Sequence, residues 1–236
     1  MRGVFVTGTG TEVGKTVVAA VVARAAHLAG ARVAVFKPAV SGLGDYPPRP
    51  EVWDCAAELA DHALLRLAAG SSQRDDEIAP YRYTRAVSPH LAAEIRGEPI
   101  EPDLLRRAAS AAAEGSDLLV CEGVGGFLVP LTSDYLIRDF ARDLGMPVLI
   151  VARPGLGTIN HTLLTIEAVR SAGLEAAKVV LNPWPTEPTS LERSNLETIS
   201  SLGAVEVETL PRLDLASPGD WPELSFSEPE RRLRAA

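Results

Sequence analysis

The sequence predicts an α/β fold in which helices cover both faces of a mostly parallel sheet. Short apolar runs rich in Val, Ile and Leu, typical of strands buried on both faces, alternate with longer helical segments. This alternation indicates right-handed β-α-β units. A third observation is the glycine-rich loop that joins the first apolar run to the first helical segment. Together they predict one sheet with a ligand site at the carboxyl ends of its strands.

Six apolar runs have the length and composition of strands. These runs lie at residues 4–6, 32–37, 117–122, 147–152, 178–181 and 205–209. The intervening helices are predicted at residues 17–28, 51–69, 91–96, 102–114, 134–144, 162–172 and 190–202. Around the short helix at 91–96, the proline-punctuated residues 75–102 are expected to be irregular.

The chain length and its punctuation favour one domain over two. We assign residues 1–212 to a single α/β domain and expect residues 213–236, rich in Pro, Ser and Glu, to be only partly ordered. The two cysteines, Cys55 and Cys121, are interpreted as reduced thiols because they form no disulfide framework.

The composition also restricts the partners. The formal net charge of −8 comes with no basic block, which argues against nucleic acid. No apolar run reaches the ~18–20 residues of a membrane span. Met1-Arg2 leads directly into the first strand without a signal peptide, so we expect a cytoplasmic protein with no membrane partner.

The glycine-rich loop at residues 7–16, TGTGTEVGKT, predicts a phosphate site. Glycines let the backbone approach an anion closely, and the amide groups at the start of the next helix then point at phosphate oxygens. In such P-loop NTPase-like loops Lys15 reaches the β- and γ-phosphates and Thr16 binds Mg²⁺. Gly8 lies one position earlier than the usual spacing requires, so the sequence indicates a variant of this loop.

Two charged residues stand at predicted strand ends, where ligands gather in parallel sheets. Lys37 ends the run 32–37 and Glu122 ends the run 117–122. Lys37 is interpreted as a site residue rather than a solvated strand end, and Glu122 as a Mg²⁺ ligand rather than a turn cap. Asp54, near the start of the helix 51–69, is either a helix cap or a third metal ligand.

Two further segments are candidate ligand contacts. The run GLGTINH at residues 155–161 opens a helix, and its exposed start, with Thr158 and Asn160, suits a carboxylate. Asn182 at the end of the strand 178–181 either presents its amide to a nucleobase or forms a turn.

Several of these stretches, in this order, resemble one family, the dethiobiotin synthetases. The resemblance covers residues 3–212 and rests on TGTGTEVGKT at 7–16, FKP at 36–38 with SG at 41–42, SPH at 88–90, EGVGG at 122–126, LGTINH at 156–161 and LP at 210–211. The off-spaced glycine is the family's own pattern, so the variant loop becomes support for the resemblance.

The resemblance implies a Mg²⁺- and ATP-dependent ligase of biotin synthesis. One amine of 7,8-diaminononanoate and CO₂ or bicarbonate form a carbamate, ATP phosphorylates it, and the second amine closes the ring with loss of phosphate. Such chemistry requires positioning and charge neutralisation more than covalent help from the protein. A homodimer with sites at the interface is implied as well.

The resemblance also implies roles for individual residues. Catalytic roles fall to Lys15, Lys37 and Thr11, and metal ligation to Thr16, Asp54 and Glu122. Nucleotide contacts fall to Glu12, Val13, Gly14, Lys15, Thr16, Val17, Glu122, Asn182 and Pro211. Substrate contacts fall to Thr11, Lys37, Ser41, Gly157, Thr158 and Asn160, the last three supplied by the neighbouring subunit. The run PWP at 183–185 departs from many members and leaves the base preference open.

Two other functions use the same kind of scaffold. Glutamine-dependent amidotransferases of cobalamin synthesis carry a second domain with a nucleophilic cysteine, for which these 236 residues leave no room. ParA/MinD-like ATPase switches have a second lysine early in the phosphate loop, whereas no lysine precedes Lys15 here. The sequence therefore favours the synthetase.

Overall fold

The structure is a computed structural model that describes residues 2–44, 60–215 and 217–224. Its strands are Gly3–Gly8 (β1), Val33–Phe36 (β2), Ala39–Val40 (β3), Tyr81–Arg82 (β4), Leu118–Glu122 (β5), Val148–Ala152 (β6), Ala176–Trp184 (β7) and Glu206–Pro211 (β8). Its α-helices are Lys15–Leu28 (α1), Asp61–Ala68 (α2), Asp75–Ile78 (α3), Pro89–Arg96 (α4), Pro102–Ala113 (α5), Ile137–Leu144 (α6), Thr158–Ser171 (α7) and Ser190–Gly203 (α8). A 3₁₀ helix follows at Pro218–Asp220.

Six strands form one parallel sheet in the order β2-β5-β1-β6-β7-β8. The register places Val4 beside Val120 and Val6 beside Leu149, so β1 lies between β5 and β6. All six carboxyl ends therefore meet at one edge, with the loop after β1 near its centre. The predicted α/β class with a parallel sheet is confirmed.

Each face of the sheet is covered by its own apolar core. Alternate residues of β1 point to opposite faces. Phe5 joins Phe36 and Phe140 on one face, with ring centroids 6.2 and 6.0 Å from Phe140, beneath α5 to α8. Val4 and Val6 join the other core, beneath α1 and α2. The nearly polar-free sequence of α1 follows from this packing, because every residue of the run 17–23 is buried.

Several element boundaries differ from the sequence-based expectation. The helix predicted at 134–144 begins at Ile137, because the Thr132 hydroxyl accepts a hydrogen bond from Tyr135 N (3.0 Å) in a preceding turn. The helix predicted at 162–172 begins four residues earlier, at Thr158, directly after Gly157 with φ of 89°. Of the helix predicted at 51–69, residues 51–59 lie outside the described chain.

The stretch 75–102 is more regular than expected. It contains α3, α4 and the strand β4, which pairs in parallel with β3 as a separate two-stranded sheet. The pairing joins Ala39, two residues after Lys37, to Tyr81. Ala39 lines the site described below, so the small sheet forms part of its wall.

The described part of the segment after β8 packs against the core under α1. Leu213, Leu215, Trp221 and Leu224 are buried there, and the Trp221 indole donates a hydrogen bond to Asp214 O (2.8 Å). The domain boundary at residue 212 stays a prediction. In the residues that the structure describes, no helix combines the length and apolar character needed to cross a membrane.

Candidate functional site

The phosphate loop connects β1 to α1, as the sequence predicts. Gly14 and Glu12 both have positive φ, 89° and 59°, so the loop turns sharply before the first residue of the helix, Lys15. A side chain at position 8 would place Cβ 2.6 Å from Val13 Cγ2, and therefore only glycine fits there. The Asn182 amide nitrogen donates to Val13 O (3.0 Å), which ties the loop to the end of β7.

Three charged side chains converge beside the loop. Lys37 Nζ donates to Glu122 Oε1 at 2.6 Å and to Asp61 Oδ2 at 2.8 Å. Lys37 and Glu122 are only 3% and 1% exposed. Lys37 directly follows β2, and Glu122 is the last residue of the neighbouring strand β5. Asp61 begins α2 and reaches the same point from the side. The Thr16 hydroxyl donates to Glu122 Oε1 (2.9 Å), so the cluster joins the phosphate loop directly.

The surroundings fix the charge of each lysine. Burial would lower the pKa of Lys37, but the adjacent carboxylates of Asp61 and Glu122 outweigh burial and raise it, so Lys37 stays charged. Burial raises the pKa of Glu122, an effect that Lys37 opposes. Lys15 is different: burial lowers its pKa to about 8, with partial compensation from Glu122. Its Nζ donates to Gly10 O (2.8 Å) within the loop.

A cavity of about 510 Å³ opens over the loop and the cluster. Its volume lies in the range of small-molecule sites, roughly 300–1,000 Å³. Nine of the residues singled out in the sequence line it: Thr11, Glu12, Gly14, Lys15, Thr16, Val17, Lys37, Ser41 and Glu122. Residues from four of the six motif segments, at 7–16, 36–42, 88–90 and 122–126, therefore share one concave surface.

The other sequence-predicted residues lie away from this lining. Val13 is buried beneath the loop, and Pro211 is exposed at the end of β8. Gly157, Thr158 and Asn160 form the start of α7, where Thr158 is buried against Thr162 and Asn160 is exposed. The cavity lining therefore includes the phosphate loop and the charged cluster but not the start of α7.

The two side-chain amide atoms of Asn182 differ in their hydrogen bonding. The side chain is fully buried, and its nitrogen is used by Val13 O. Its Oδ1 finds no hydrogen-bond partner among the described residues. A nucleobase could bind Oδ1 only through a hydrogen-bond donor, and only after the residues that cover it move.

Asp61 is a site residue that the sequence reasoning missed. It lines the cavity and contacts Lys37, whereas Asp54, the carboxylate chosen from the sequence, falls outside the described residues. The signal that favours Asp54, an acidic residue in the first turn of a helix, applies to Asp61 only with the observed start of α2. Asp61 occupies that position in α2, whose helix begins later than the predicted one.

The residues of the cluster fit a magnesium ion. Glu122 Oε2 is buried and has no hydrogen-bond partner among the described residues, next to the Thr16 hydroxyl and the Asp61 carboxylate. Mg²⁺ prefers oxygen ligands and is usually held by one or two carboxylates together with waters and substrate phosphates. Within the described ranges no group of three His, Cys, Asp or Glu side chains forms a complete metal cage. This donor set therefore suits a metal shared with a bound phosphate.

Comparison with known proteins agrees with this site. A family model described as "AAA domain" matches residues 2–217. An ATP-dependent dethiobiotin synthetase of Anaeromyxobacter dehalogenans is 44% identical over 182 residues, which are 77% of each chain. The enzymes of the same name from Bacillus subtilis and Bacillus velezensis are 34% and 33% identical, over 88% and 92% of this chain and 85% and 89% of theirs.

Solved structures with the same fold are more distant. The MinC:MinD cell division protein complex of Aquifex aeolicus matches with a TM-score of 0.54 and 14% identity, covering 90% of this chain and 82% of that one. The cell division ATPase MinD of Pyrococcus furiosus matches with 0.52 and 16%, covering 90% and 84%. At such low identity these matches show the fold alone. The identity to the curated relatives over most of both chains decides the family, and the chain belongs to the ATP-dependent dethiobiotin synthetases.

Proposed function

We propose that this protein converts 7,8-diaminononanoate, CO₂ and ATP into dethiobiotin, ADP and phosphate. The observation that carries the proposal is the convergence of Lys15, Lys37 and the Thr16–Glu122 pair on one cavity beside a phosphate loop. Two lysines and a row of loop amides next to a metal-binding carboxylate suit a reaction in which negative charge moves between carbamate and phosphate.

The reaction consists of three steps. One amine of the substrate attacks CO₂ and loses a proton, which gives a carbamate anion. A carbamate oxygen then attacks the γ-phosphorus of ATP, and the bond to ADP breaks. Finally the second amine attacks the carbamate carbon and loses a proton, the C–O bond to phosphate breaks, and the ring closes as phosphate leaves.

The two lysines act by charge in this scheme. The two carboxylates that hold Lys37 keep it protonated, so it can stabilise the carbamate and the transferred phosphoryl group but cannot serve as a base. Lys15, with a pKa of about 8, is mostly protonated at neutral pH and is released from Gly10 O when phosphate oxygens replace that carbonyl. Fixed donors in a buried site require little reorganisation as charge develops.

Magnesium would be held by Thr16 and Glu122, with Asp61 as the carboxylate on the other side of the cluster. When bound, Mg²⁺ neutralises the β- and γ-phosphate oxygens and orients them. Asp54 stays a proposed third ligand. The burial of Glu122 and its unused Oε2 support this assignment.

The diamine end of the substrate is proposed to lie near Thr11 and Ser41, which line the cavity. Its carboxylate would bind the start of α7, at Gly157, Thr158 and Asn160, of the partner subunit in a homodimer. Leu156, next to this start, is 91% exposed, as expected of a side chain that a second copy covers. Asn182 and Pro211 stay proposed nucleobase contacts, and the cytoplasm is the proposed location.

The test is product formation from ¹³C-labelled bicarbonate. Purified protein with Mg·ATP and 7,8-diaminononanoate should give dethiobiotin that carries one ¹³C, detected by mass spectrometry. Omission of any one substrate should abolish the product, and Lys37→Met should reduce it strongly. ATP hydrolysis that proceeds equally without the diamine, with no labelled dethiobiotin, would refute the proposal.

A further inference from the structure

We propose that Arg153 is a positioning residue that holds the phosphate loop in its anion-binding conformation, with Asn182 as a second contact that does the same. The inference deepens the proposed function and rests only on its nucleotide-binding part. Arg153 directly follows β6, the strand beside β1, and it does not belong to the cavity lining found among the described residues. It therefore acts through the loop and not on the ligand.

Two consecutive backbone carbonyls of the loop are held from outside. Arg153 Nη2 and Nε both donate to Glu12 O, at 2.7 and 3.2 Å. Asn182 Nδ2 donates to Val13 O at 3.0 Å. These two donors come from the carboxyl ends of adjacent strands of the sheet, β6 and β7. A charged donor makes the stronger of the two contacts.

The direction of these carbonyls decides where the loop amides point. In a planar trans peptide, the C=O and the N–H lie on opposite sides of the bond. With Glu12 O and Val13 O drawn toward Arg153 and Asn182, the N–H groups of Val13 and Gly14 face the other way. No described residue accepts a hydrogen bond from either N–H, so both are available to an anion.

The hydrogen bonds from Arg153 are needed because the backbone conformation of Glu12 is unfavourable by itself. Glu12 has φ of 59°, a left-handed conformation that a residue with a Cβ rarely adopts. Without an external contact the Glu12–Val13 peptide can rotate to a more common conformation and turn its N–H away. Arginine suits the role because its fork presents two donors to one oxygen, which the single ammonium of lysine cannot do.

The experiment compares Arg153→Ala, Arg153→Gln and Arg153→Lys with the control Arg107→Ala, which removes an exposed arginine of α5. Binding of Mg·ATP is measured by calorimetry without the diamine, and hydrogen exchange of the loop amides is measured in the nucleotide-free protein. We expect about tenfold weaker binding in the Ala and Gln variants and a smaller loss in the Lys variant. Exchange of the loop peptide covering residues 9–14 should accelerate, with β6 unchanged.

Several results would overturn the inference. Unchanged binding in all three variants would show that the loop needs no support from Arg153. Weaker binding with unchanged loop exchange would assign the arginine to electrostatic attraction of the nucleotide instead of positioning. A melting temperature lowered in every Arg153 variant, Lys included, would indicate a structural role. The test measures nucleotide binding without the diamine, so its result does not depend on whether the protein forms dethiobiotin.

Discussion

The lowered pKa of Lys15 makes nucleotide binding depend on pH in a calculable way. Lys15 is 7% exposed, and burial lowers its pKa from 10.5 to about 8. Phosphate oxygens beside the ammonium favour its charged form, so the pKa of Lys15 rises when ATP binds. Nucleotide therefore binds preferentially to the protonated lysine, and the affinity falls once the free protein begins to lose that proton.

The magnitude follows from proton linkage. With a pKa of about 8 in the free protein and a lysine that keeps its proton in the complex, the apparent Kd increases about tenfold between pH 7 and pH 9. In the free protein the sign for stability is the reverse of the usual lysine case. The unfolded state binds this proton more tightly, so the free energy of unfolding gains up to about 3 kcal/mol as the pH rises from 8 to 10.5.

The assay is calorimetric titration with Mg·ATP at half-unit steps from pH 6.5 to 9.5. Lys15→Arg is the matched control because a guanidinium stays charged over this range. Its affinity can be weaker than that of the unchanged protein, but it should not vary between pH 7 and pH 9 beyond what the buffers cause. A flat profile for the unchanged protein, or the same slope in the arginine variant, would refute the assignment to Lys15.

Three further predictions concern the cluster and the core. Lys37→Met leaves Glu122 buried without its cation, so the free energy of unfolding, measured with urea at pH 8, should fall by about 3–5 kcal/mol. The loss should be smaller at pH 5, where the carboxyl can take up a proton. Equal losses at both pH values would contradict this. Asp61→Asn should raise the Mg²⁺ concentration for half-maximal activity about tenfold, with a smaller loss of stability than Lys37→Met because Glu122 still pairs with Lys37. An unchanged metal titration would remove Asp61 from the metal site. Phe140→Ala should cost about 3–5 kcal/mol in unfolding free energy but leave the KM for ATP unchanged, and a stability loss below about 1 kcal/mol would contradict the packing described for the core.

The central part of the fold and site could be predicted because its signals are local. The β1–loop–α1 unit lies within one short stretch, and its glycines and apolar runs report it directly. The meeting of Lys37 and Glu122 follows from a general rule, that parallel strands share one carboxyl edge. The rule applies whatever the order of the strands, so the prediction does not depend on knowing that β5 lies between β1 and β2.

Other features could not be predicted because they depend on contacts between distant segments. The β3–β4 pair joins two-residue strands separated by some forty positions, and neither carries a strand pattern of its own. Of Asp54 and Asp61, only Asp54 lies in the first turn of the helix predicted at 51–69, and Asp61 takes such a position only because α2 begins there. Arg153 binds a backbone carbonyl, and such a contact leaves no motif in the partner sequence.

The most direct test of the central claim follows the oxygen atoms of CO₂. The protein is incubated with C¹⁸O₂, Mg·ATP and the diamino acid in ordinary water, with turnover fast relative to exchange of CO₂ oxygen with the solvent. If ring closure expels phosphate from a phosphorylated carbamate, each phosphate released carries one ¹⁸O from CO₂. Phosphate that contains only unlabelled oxygen would show that water attacks ATP directly, as in an ATPase, and would contradict the account.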